Sequence, residues 1–341
     1  MPRPARDEIL DVDLLAFERG DRSARRAVVD GVRRSLATGF VYTSHDLGDG
    51  FLDEVYGALA TFFALDPDVK ARSSVSGSHG QTGYTGLLVE TAADADAADW
   101  KEMLNWGRSV PAGHPLRIRY PHRYLDPVLP GDAVPGIERL LLELHDRLAE
   151  LQRRFLRVIA VGIGCHDSFF DGMVADGATL TRAIRYPPMP DAPGTAHVWA
   201  GEHGDINLIT ALPRATGRGL QVRVGDGTWV DAVPPDGLAI INSGMMLERL
   251  TNGAIPVGWH RVVADPGDLG ERLSVVQFAH PTPWTILSPV PSCVSTDEPL
   301  RYSAIEAGAW LDQVLHDINL AGADGSGRDT AGDRAGDERT A

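Results

Sequence analysis

The sequence predicts a mainly β fold with flanking helices, in which a helix-rich N-terminal part packs on an antiparallel β sandwich or barrel. Two observations carry this prediction. The first half of the chain contains long apolar stripes with helical spacing. After Gly177, short β-prone runs are separated by Gly, Pro, Asp and Asn, a rhythm typical of antiparallel strands and turns rather than of βαβ units.

Helices are predicted where apolar residues recur every three or four positions. Residues 23–38 form one such helix, and the Gly39 that follows fits a helix C-cap. Residues 52–63 form a second helix. Residues 137–161 carry the most sustained stripe, which we interpret as core packing, and a final helix is predicted at residues 303–319.

A short strand is predicted at residues 40–42. Seven further strands are predicted in the second half of the chain, at residues 180–186, 206–212, 219–224, 228–233, 238–242, 257–264 and 272–279. Residues 71–86 are rich in Ser and Gly and are predicted to form a loop. Residues 91–99 are rich in Ala and Asp and are predicted to be solvated, and the proline-rich residues 107–135 are predicted to be an irregular connection.

These elements predict one domain over residues 1–320. It would consist of a helix-rich part at residues 1–176, a β-rich core at residues 177–284 and a C-terminal helix region at residues 285–320. Residues 321–341 are rich in Gly, Ala, Asp and Arg and contain no aromatic residue, so a disordered tail is predicted.

Composition narrows the class of protein. The 341 residues are 43% hydrophobic and 23% charged, which is ordinary for a globular protein. The net charge of −15 disfavours a nucleic-acid partner. Cys165 and Cys293 lack disulfide or metal-binding spacing and are expected to be free thiols. No signal core or bilayer-length apolar run is visible, so we expect a soluble, cytoplasmic protein without a membrane partner.

The most informative segment is His203-Gly204-Asp205. In a strand, residues i and i+2 face the same side, so His203 and Asp205 can converge on one metal ion, while Gly204 lets the backbone pass close to its neighbours. His260 lies in a later β-prone run and can return beside the pair. Two imidazoles and one carboxylate are the ligand set of non-haem Fe(II) oxygenases, in which further positions stay open for O2 and a co-substrate.

These histidines also have less specific interpretations. An isolated His-x-Asp pair is common, so the assignment depends on order, spacing and the β-rich context together. The nine other histidines show no comparable arrangement, and His197, which lies in the same segment as His203, is the nearest rival. Zn(II) remains an alternative metal because imidazole and carboxylate bind several divalent ions.

A candidate carboxylate-binding pair follows the metal motif. Arg272 and Ser274 lie two positions apart in a predicted strand and therefore face the same way. A guanidinium offers a fixed fork to a carboxylate, and a hydroxyl adds a further donor. Tyr186, at the end of another predicted strand, can supply a second hydroxyl. The alternatives are a surface arginine and a tyrosine that anchors a strand end.

These motifs closely resemble the isopenicillin N synthase-like Fe(II)/2-oxoglutarate dioxygenases over about residues 178–283. The motifs that carry the resemblance are His203-Gly204-Asp205, Gly219-Leu220-Gln221-Val222, Trp229-Val230, Thr251-Asn252-Gly253, His260-Arg261-Val262 and Arg272-Leu273-Ser274. The N-terminal part resembles the family more loosely, through Gly39-Phe40-Val41, Phe62-Phe63-Ala64-Leu65 and Gly83-Tyr84.

The resemblance implies a double-stranded β-helix (jelly-roll, cupin-like) core, with iron held by His203, Asp205 and His260. It implies that 2-oxoglutarate and O2 are co-substrates, that 2-oxoglutarate becomes succinate and CO2, and that a small-molecule metabolite is hydroxylated, desaturated or cyclised. An intermediate of secondary metabolism is the expected substrate.

The resemblance also implies roles for the carboxylate-binding pair. Arg272 and Ser274 would bind the distal carboxylate of 2-oxoglutarate, and Tyr186 would assist. Many family members have Asn two positions before that tyrosine, whereas Ile184 stands here, so the polar network at this end departs from the family pattern.

Two alternatives share the scaffold. An Fe(II) oxidase of the isopenicillin N synthase type takes no 2-oxoglutarate, and the Arg-x-Ser pair can then serve the substrate. A non-catalytic binding protein would be expected to lack a metal ligand.

Two tryptophans are candidate substrate-site residues. Trp100 and Trp106 could wall an apolar or ring-bearing substrate, with core packing as the alternative. Residues 71–86 and 303–319 are candidate lids over the site.

Overall fold

The computed structural model describes residues 8–78, 80–90, 98–192, 194, 197–264 and 270–324, with only the backbone described from residue 317 onward. In chain order the helices are α1 (Leu14–Arg19), α2 (Arg22–Ser35), α3 (Asp49–Phe63), α4 (Pro67–Ala71), α5 (Pro115–Arg119), α6 (Ile137–Gly162), α7 (Asp171–Val174), α8 (Met245–Leu250) and α9 (Ala307–Asp324). Among these described helices, none is both long and apolar enough to cross a membrane.

The strands form two main sheets. In chain order they are β1 (Asp11–Val12), β2 (Phe40–Ser44), β3 (Gly83–Thr85), β4 (Glu102–Gly107), β5 (Leu180–Tyr186), β6 (Ala200–His203), β7 (Ile209–Leu212), β8 (Leu220–Arg223), β9 (Trp229–Asp231), β10 (Leu238–Ser243), β11 (His260–Val262), β12 (Arg272–Ala279), β13 (Ile286–Leu287) and β14 (Ile305–Glu306). The large sheet has the order β1-β2-β10-β7-β12-β5-β4-β3, and the small sheet has the order β6-β11-β8-β9. Strands β13 and β14 pair separately.

The two main sheets pack on each other as the jelly-roll core, and helices cover the outer face of the large sheet. Side chains of both sheets, such as Tyr42 and Ile240 from the large one and Leu220 and Val262 from the small one, share one buried apolar cluster. Helix α6 packs against β7 and β12 on the other face of the large sheet. The large sheet is therefore buried on both sides.

Alternation along the strands separates these two environments. On β12, Leu273 and Val275 belong to the core beneath the helices, whereas Arg272, Ser274 and Val276 face the space between the sheets. This is the period-two pattern of a strand buried on both faces. It places polar side chains inside the jelly roll without disturbing the apolar layer behind them.

Most predicted elements are confirmed within a few residues. The strands at 180–186 and 272–279 have the predicted bounds, and the long helix extends by one residue to Gly162. Gly39 has a left-handed φ of 81° at the end of its short helical turn, as its predicted capping role requires.

Several details of the first half differ from the predictions. The predicted strand at 40–42 is confirmed as β2, whereas β3 and β4, which also belong to the large sheet, were not predicted. The predicted loop at 71–86 contains β3, and the predicted irregular connection at 107–135 contains α5. Asp99, expected to be solvated, is buried.

Two expectations lie partly beyond the described residues. Residues 91–97 of the Ala/Asp-rich stretch lie outside them. Helix α9 continues to Asp324, so residues 321–324 of the predicted tail are helical, whereas residues 325–341 lie outside the described part of the chain.

Candidate metal centre

The two histidines of the centre lie on neighbouring strands of the small sheet. His203 ends β6, and His260 begins β11 as its direct antiparallel partner. Their ring centroids are 4.3 Å apart. The predicted strand through the His-x-Asp motif is shorter than expected, because β6 stops at His203 and Asp205 lies in the connection between β6 and β7. The carboxylate is therefore presented by this connection rather than by a strand.

Backbone carbonyl groups orient both imidazoles. Nδ1 of His203 lies 2.8 Å from the Gly201 carbonyl oxygen, and Nδ1 of His260 lies 2.9 Å from the Gly258 carbonyl oxygen. A carbonyl oxygen only accepts hydrogen bonds, so each Nδ1 carries the proton. The lone pair of each Nε2 is then free for a metal, and the ring orientation is fixed by the hydrogen bond behind it.

Two neighbouring strands hold one oxygen of the Asp205 carboxylate. Thr210 Oγ1 donates to Asp205 Oδ2 at 2.5 Å, and Asn242 Nδ2 donates to the same oxygen at 2.8 Å. Thr210 on β7 and Asn242 on β10 are direct register partners, so the sheet itself aligns the two donors. The other oxygen, Oδ1, remains available as a ligand. Asn242 is a site residue that the sequence analysis missed.

Close backbone contacts bring the histidine strands into place. A Cβ on Gly204 would lie 2.5 Å from Val257 Cγ1, which confirms that the motif needs a small residue between its ligands. A Cβ on Gly39 would lie 2.4 Å from the Cα of Gly258. Gly39 thus both caps its helical turn and lets the start of β2 touch the chain that leads to His260.

Within the described ranges, His203, Asp205 and His260 are the one group of three potential ligands that converges. One ligand atom from each lies within 4.8 Å of the others. Burial lowers the pKa of His203 to about 4, with a further contribution from the nearby His260. His203 is therefore neutral near pH 7, which is the form that binds a metal.

Asp205 is held as a carboxylate. Its burial would raise the pKa, but His260 and His203 lower it, and the hydrogen bonds from Thr210 and Asn242 lower it further, so that the pKa lies below its ordinary value. The donor set thus comprises a neutral imidazole at His203, a second imidazole with its Nε2 free, and an ionised carboxylate. These residues fit Fe(II) held on one face, with the opposite positions open.

The predicted carboxylate-binding pair lies in the same cavity. Arg272 is 2% exposed, and its Nη1 donates to Ser274 Oγ at 2.9 Å. Its guanidinium lies 5.2 Å from the centroid of the Tyr186 ring, and Tyr186 is its register partner on β5. Burial lowers the pKa of Arg272. Among the described residues, no carboxylate forms an ion pair with this guanidinium. Because an unpaired buried charge is unfavourable, binding of an anionic ligand would stabilise the Arg272 cation.

The cavity between the sheets connects these groups. It lies between the two main sheets and opens to solvent at one mouth. Its lining combines the three potential metal ligands and Arg272 with apolar side chains such as Leu212, Leu220 and Ile240, and it also includes Lys101 and Arg182. A mostly apolar chamber with a few convergent polar groups is what a small-molecule site requires.

The two tryptophans do not line this cavity. Trp106 is fully buried on the helix side of β4, where its Nε1 donates to the Leu141 carbonyl oxygen at 2.9 Å. Its predicted substrate contact is therefore wrong, and core packing explains it. Trp100 is 7% exposed, donates from Nε1 to the Pro188 carbonyl oxygen at 3.2 Å, and packs in the cluster that also contains Tyr186.

Comparison with known proteins agrees with this geometry. The family model of the 2OG-Fe(II) oxygenase superfamily matches residues 177–281. The N-terminal model of non-haem dioxygenases in morphine synthesis matches residues 9–127. Fold and site together define the class of mononuclear non-haem iron oxygenases.

Similar proteins define the family more narrowly. A 2OG-Fe(II) oxygenase family protein from Caulobacter crescentus is 33% identical, with a TM-score of 0.80 over 92% of this chain and 99% of that one. A full-length Neurospora crassa protein, solved with α-ketoglutarate (2-oxoglutarate) and 5-formyluracil, is 26% identical, with a TM-score of 0.77 over 89% and 94%. The 2-oxoglutarate-Fe(II) type oxidoreductase hxnY of Emericella nidulans is 27% identical over 86% of this chain and 85% of its own length.

The chain belongs to the 2OG-Fe(II) oxygenase family, and within it to the isopenicillin N synthase-like group. It is a non-haem Fe(II)/2-oxoglutarate-dependent dioxygenase.

Proposed function

We propose that this enzyme oxidises a carbon centre of a small metabolite while it converts 2-oxoglutarate to succinate and CO2. Iron would be held by His203, Asp205 and His260. The observation that carries the proposal is the buried Arg272, which faces the same cavity as the three ligands and has no carboxylate partner among the described residues. A dicarboxylate co-substrate supplies the missing negative charge.

Each group of residues in the site would have a distinct role. Arg272 and Ser274 would bind the distal carboxylate of 2-oxoglutarate, with Tyr186 beside the guanidinium. The two imidazoles and Asp205 would fix the metal through the hydrogen bonds behind them. Iron, 2-oxoglutarate and O2 supply the oxidising chemistry. The apolar lining would exclude water and hold the substrate against the open side of the centre.

The substrate proposal rests on the lining of the cavity and on similar proteins. The similar Neurospora crassa protein has been solved with 5-formyluracil, and a barley relative that is 26% identical is named mugineic-acid 3-dioxygenase. Both compounds are small polar molecules. We infer a small metabolite as the substrate here; hydroxylation, desaturation and ring closure would use the same ligands and differ in where the substrate hydrogen lies.

The testing experiment is an anaerobic titration of the metal-free protein, first with Fe(II) and then with 2-oxoglutarate, followed by visible absorbance. A metal-to-ligand charge-transfer band after the second addition supports the proposal. Iron binding without that band would favour the oxidase that takes no 2-oxoglutarate. Absence of iron binding would favour a non-catalytic protein. Succinate release with a turning-over substrate then tests the stoichiometry.

A further inference from the structure

A second arginine lines the cavity at a distance from the first. Arg182 lies on β5, four positions before Tyr186, which is the register partner of Arg272. Positions i and i+4 of a strand share a face, and four steps of about 3.3 Å separate them by roughly 13 Å. The cavity therefore has an Arg272 end and an Arg182 end.

The proposed function leaves neither end of the co-substrate for Arg182. The distal carboxylate of 2-oxoglutarate would lie at Arg272, and its 2-oxo acid end would lie at the metal held by His203, Asp205 and His260. A molecule whose distal carboxylate lies at Arg272 leaves Arg182 free to contact something else. The remaining occupant of the cavity is the substrate, so Arg182 belongs to substrate recognition rather than to co-substrate binding.

Neighbouring side chains fix the guanidinium of Arg182. Its Nε donates to Asn105 Oδ1 at 2.7 Å, and Asn105 is its register partner on β4. The guanidinium carbon lies 5.5 Å from the centroid of the Phe278 ring. The terminal nitrogens have only weaker contacts, 3.3 Å from Nη2 to the Gly80 carbonyl oxygen and 3.6 Å from Nη1 to Glu90 Oε2. The group is oriented, yet it keeps N–H donors for a ligand.

The two ends differ in their counter-charges. Glu90 lies 3.6 Å from Arg182 and 3.3 Å from Lys101, and Lys101 also pairs with Asp99 at 2.8 Å. Lys101 and Arg182 line the cavity, whereas Glu90 and Asp99 are not lining residues and therefore stand behind the cations. Burial would raise the pKa of Glu90, but Arg182 and Lys101 lower it below its ordinary value, so Glu90 is ionised.

The balance of charges at each end of the cavity determines which kind of ligand group can bind there. Arg272 has no counter-charge among the described residues and suits a carboxylate. At the Arg182 end each of the two cations already has a carboxylate behind it, so a second negative charge would meet Glu90 and gain little net attraction. A neutral oxygen acceptor can still take a charge-assisted hydrogen bond from the guanidinium and adds no charge to a balanced cluster.

We propose that Arg182 is a substrate-binding residue that donates to a neutral carbonyl oxygen of the substrate, such as that of an amide, lactam or ketone. Phe278 and the apolar lining contact the rest of the substrate. The inference rests on the proposed function, because it takes the Arg272 end to be occupied by 2-oxoglutarate.

The test uses matched pairs of small probes that differ in one group. Uracil is paired with orotate, benzamide with benzoate, and indole-3-acetamide with indole-3-acetate. The full chain is loaded with Zn(II), which is not oxidised, and with saturating 2-oxoglutarate. Ligand-observed NMR titrations give the dissociation constant of each probe, so the readout does not depend on turnover.

In the natural enzyme, neutral members are expected to bind more tightly than their carboxylates. Arg182→Leu should weaken the bound neutral members about tenfold or more, because a hydrogen bond to a charged group is lost. Arg182→Lys keeps the positive charge but loses the planar guanidinium with its fixed N–H donors. It should therefore recover only part of the affinity for the neutral members. Arg26→Leu removes an exposed arginine of α2 and serves as the matched control, with no change expected.

Glu90→Gln supplies an independent arm with an isosteric change. Removal of the counter-charge should shift the preference of each pair toward its carboxylate member by several-fold, while Arg182 stays in place. The proposal is overturned if carboxylates are preferred in the natural enzyme, if no neutral member binds, or if Arg182→Leu and Arg182→Lys both bind neutral members as well as before.

The affinity for 2-oxoglutarate is measured in the same samples. Wild-type protein that fails to bind 2-oxoglutarate contradicts the proposed function. If 2-oxoglutarate binds normally but the probe affinities are unchanged when Arg182 is substituted, only the present inference is contradicted.

Discussion

The two faces of the large sheet present different chemistry from the same strands. On β12, Arg272 and Ser274 face the cavity, while Leu273 and Val275 face the helices. On the helix face the polar side chain of Gln277 is satisfied within the protein, because its Nε2 donates to the His145 carbonyl oxygen at 2.8 Å. Arg272, by contrast, is a buried cation without a carboxylate partner among the described residues. The comparison teaches that a buried charge without a counter-charge, rather than polarity itself, distinguishes the cavity face.

This contrast separates two kinds of variant. Changes on the cavity face remove ligand contacts and should leave the free energy of unfolding nearly intact. Changes on the helix face should lower that free energy without altering ligand affinity in the protein that remains folded. Neighbouring positions on one strand can therefore give opposite results.

The largest expected effect is that of Asp205→Ala on the cavity face. The variant loses the one carboxylate of the proposed iron site, and loss of a metal's contribution of several kcal/mol corresponds to about a thousandfold or greater fall in turnover. Anaerobic Fe(II) titration and turnover assays measure the effect. Asp231→Ala, which removes an exposed carboxylate on β9, is the control, and equal iron affinity in both variants would contradict the site assignment.

Trp106→Ala tests the helix face. The fully buried indole fills the core, and its Nε1 satisfies the Leu141 carbonyl oxygen, so its removal should cost about 3–5 kcal/mol in the free energy of unfolding. Urea denaturation measures this, with the partly exposed Trp284→Ala as the control. A changed affinity for the neutral substrate probes in folded Trp106→Ala protein, with little loss of stability, would restore the substrate-site interpretation.

Arg272→Leu lies next to a core residue on the same strand and should behave in the opposite way. Loss of charge-assisted hydrogen bonds to a carboxylate should weaken 2-oxoglutarate binding roughly tenfold to a hundredfold, with Fe(II) affinity unchanged. Calorimetric titration with each ligand separates the two affinities. Leu273→Ala is the neighbouring control and should lower stability alone. An unchanged 2-oxoglutarate affinity in Arg272→Leu would favour the oxidase without this co-substrate.

The remaining expected effect concerns acid stability, again on the helix face. Burial, helped by the charge of Arg108, lowers the pKa of His145 to about 4, below its ordinary value of 6.5. Between those values the unfolded chain holds a proton that the folded chain excludes, so stability falls as pH drops from about 6.5 to about 4 and is unaffected by this group above that window.

The uncharged His145→Gln variant isolates that contribution. Its free energy of unfolding should lose roughly 3 kcal/mol less than the natural protein over the same pH interval. Urea denaturation at several pH values measures both slopes. Parallel slopes would show that His145 is protonated without cost in the folded state.

The sequence predicts the second half of the fold well because its short β-prone runs are separated by Gly, Pro, Asp and Asn. It fails for β4, where Glu102 indicates a surface position. In the structure Glu102 is fully buried, and Lys70 and Arg185 each lie 2.7 Å from it. Such compensation depends on partners 32 and 83 positions away, which no local pattern reveals.

The sequence predicts which residues form the metal site, but it does not predict which residues hold them in position. His203, Asp205 and His260 carry recognisable residue types in a recognisable order. The support from Asn242 depends on the register of β10 against β7, and the position of Arg182 depends on the register of β5 against β4 and β12. Register is fixed by the packing of the whole sheet, so these residues could be identified only from the structure.

The insertion of β2 and β4 into the large sheet limits how the enzyme can be shortened. A recombinant fragment restricted to residues 177–284 would retain every proposed iron ligand, yet it would lack the strands that cover β10 and β5. Two open edges would then be exposed to pairing with other molecules, so truncation should yield aggregates rather than a minimal catalyst. Engineering of this enzyme therefore has to keep its amino-terminal segment, even though none of the proposed iron ligands lies there.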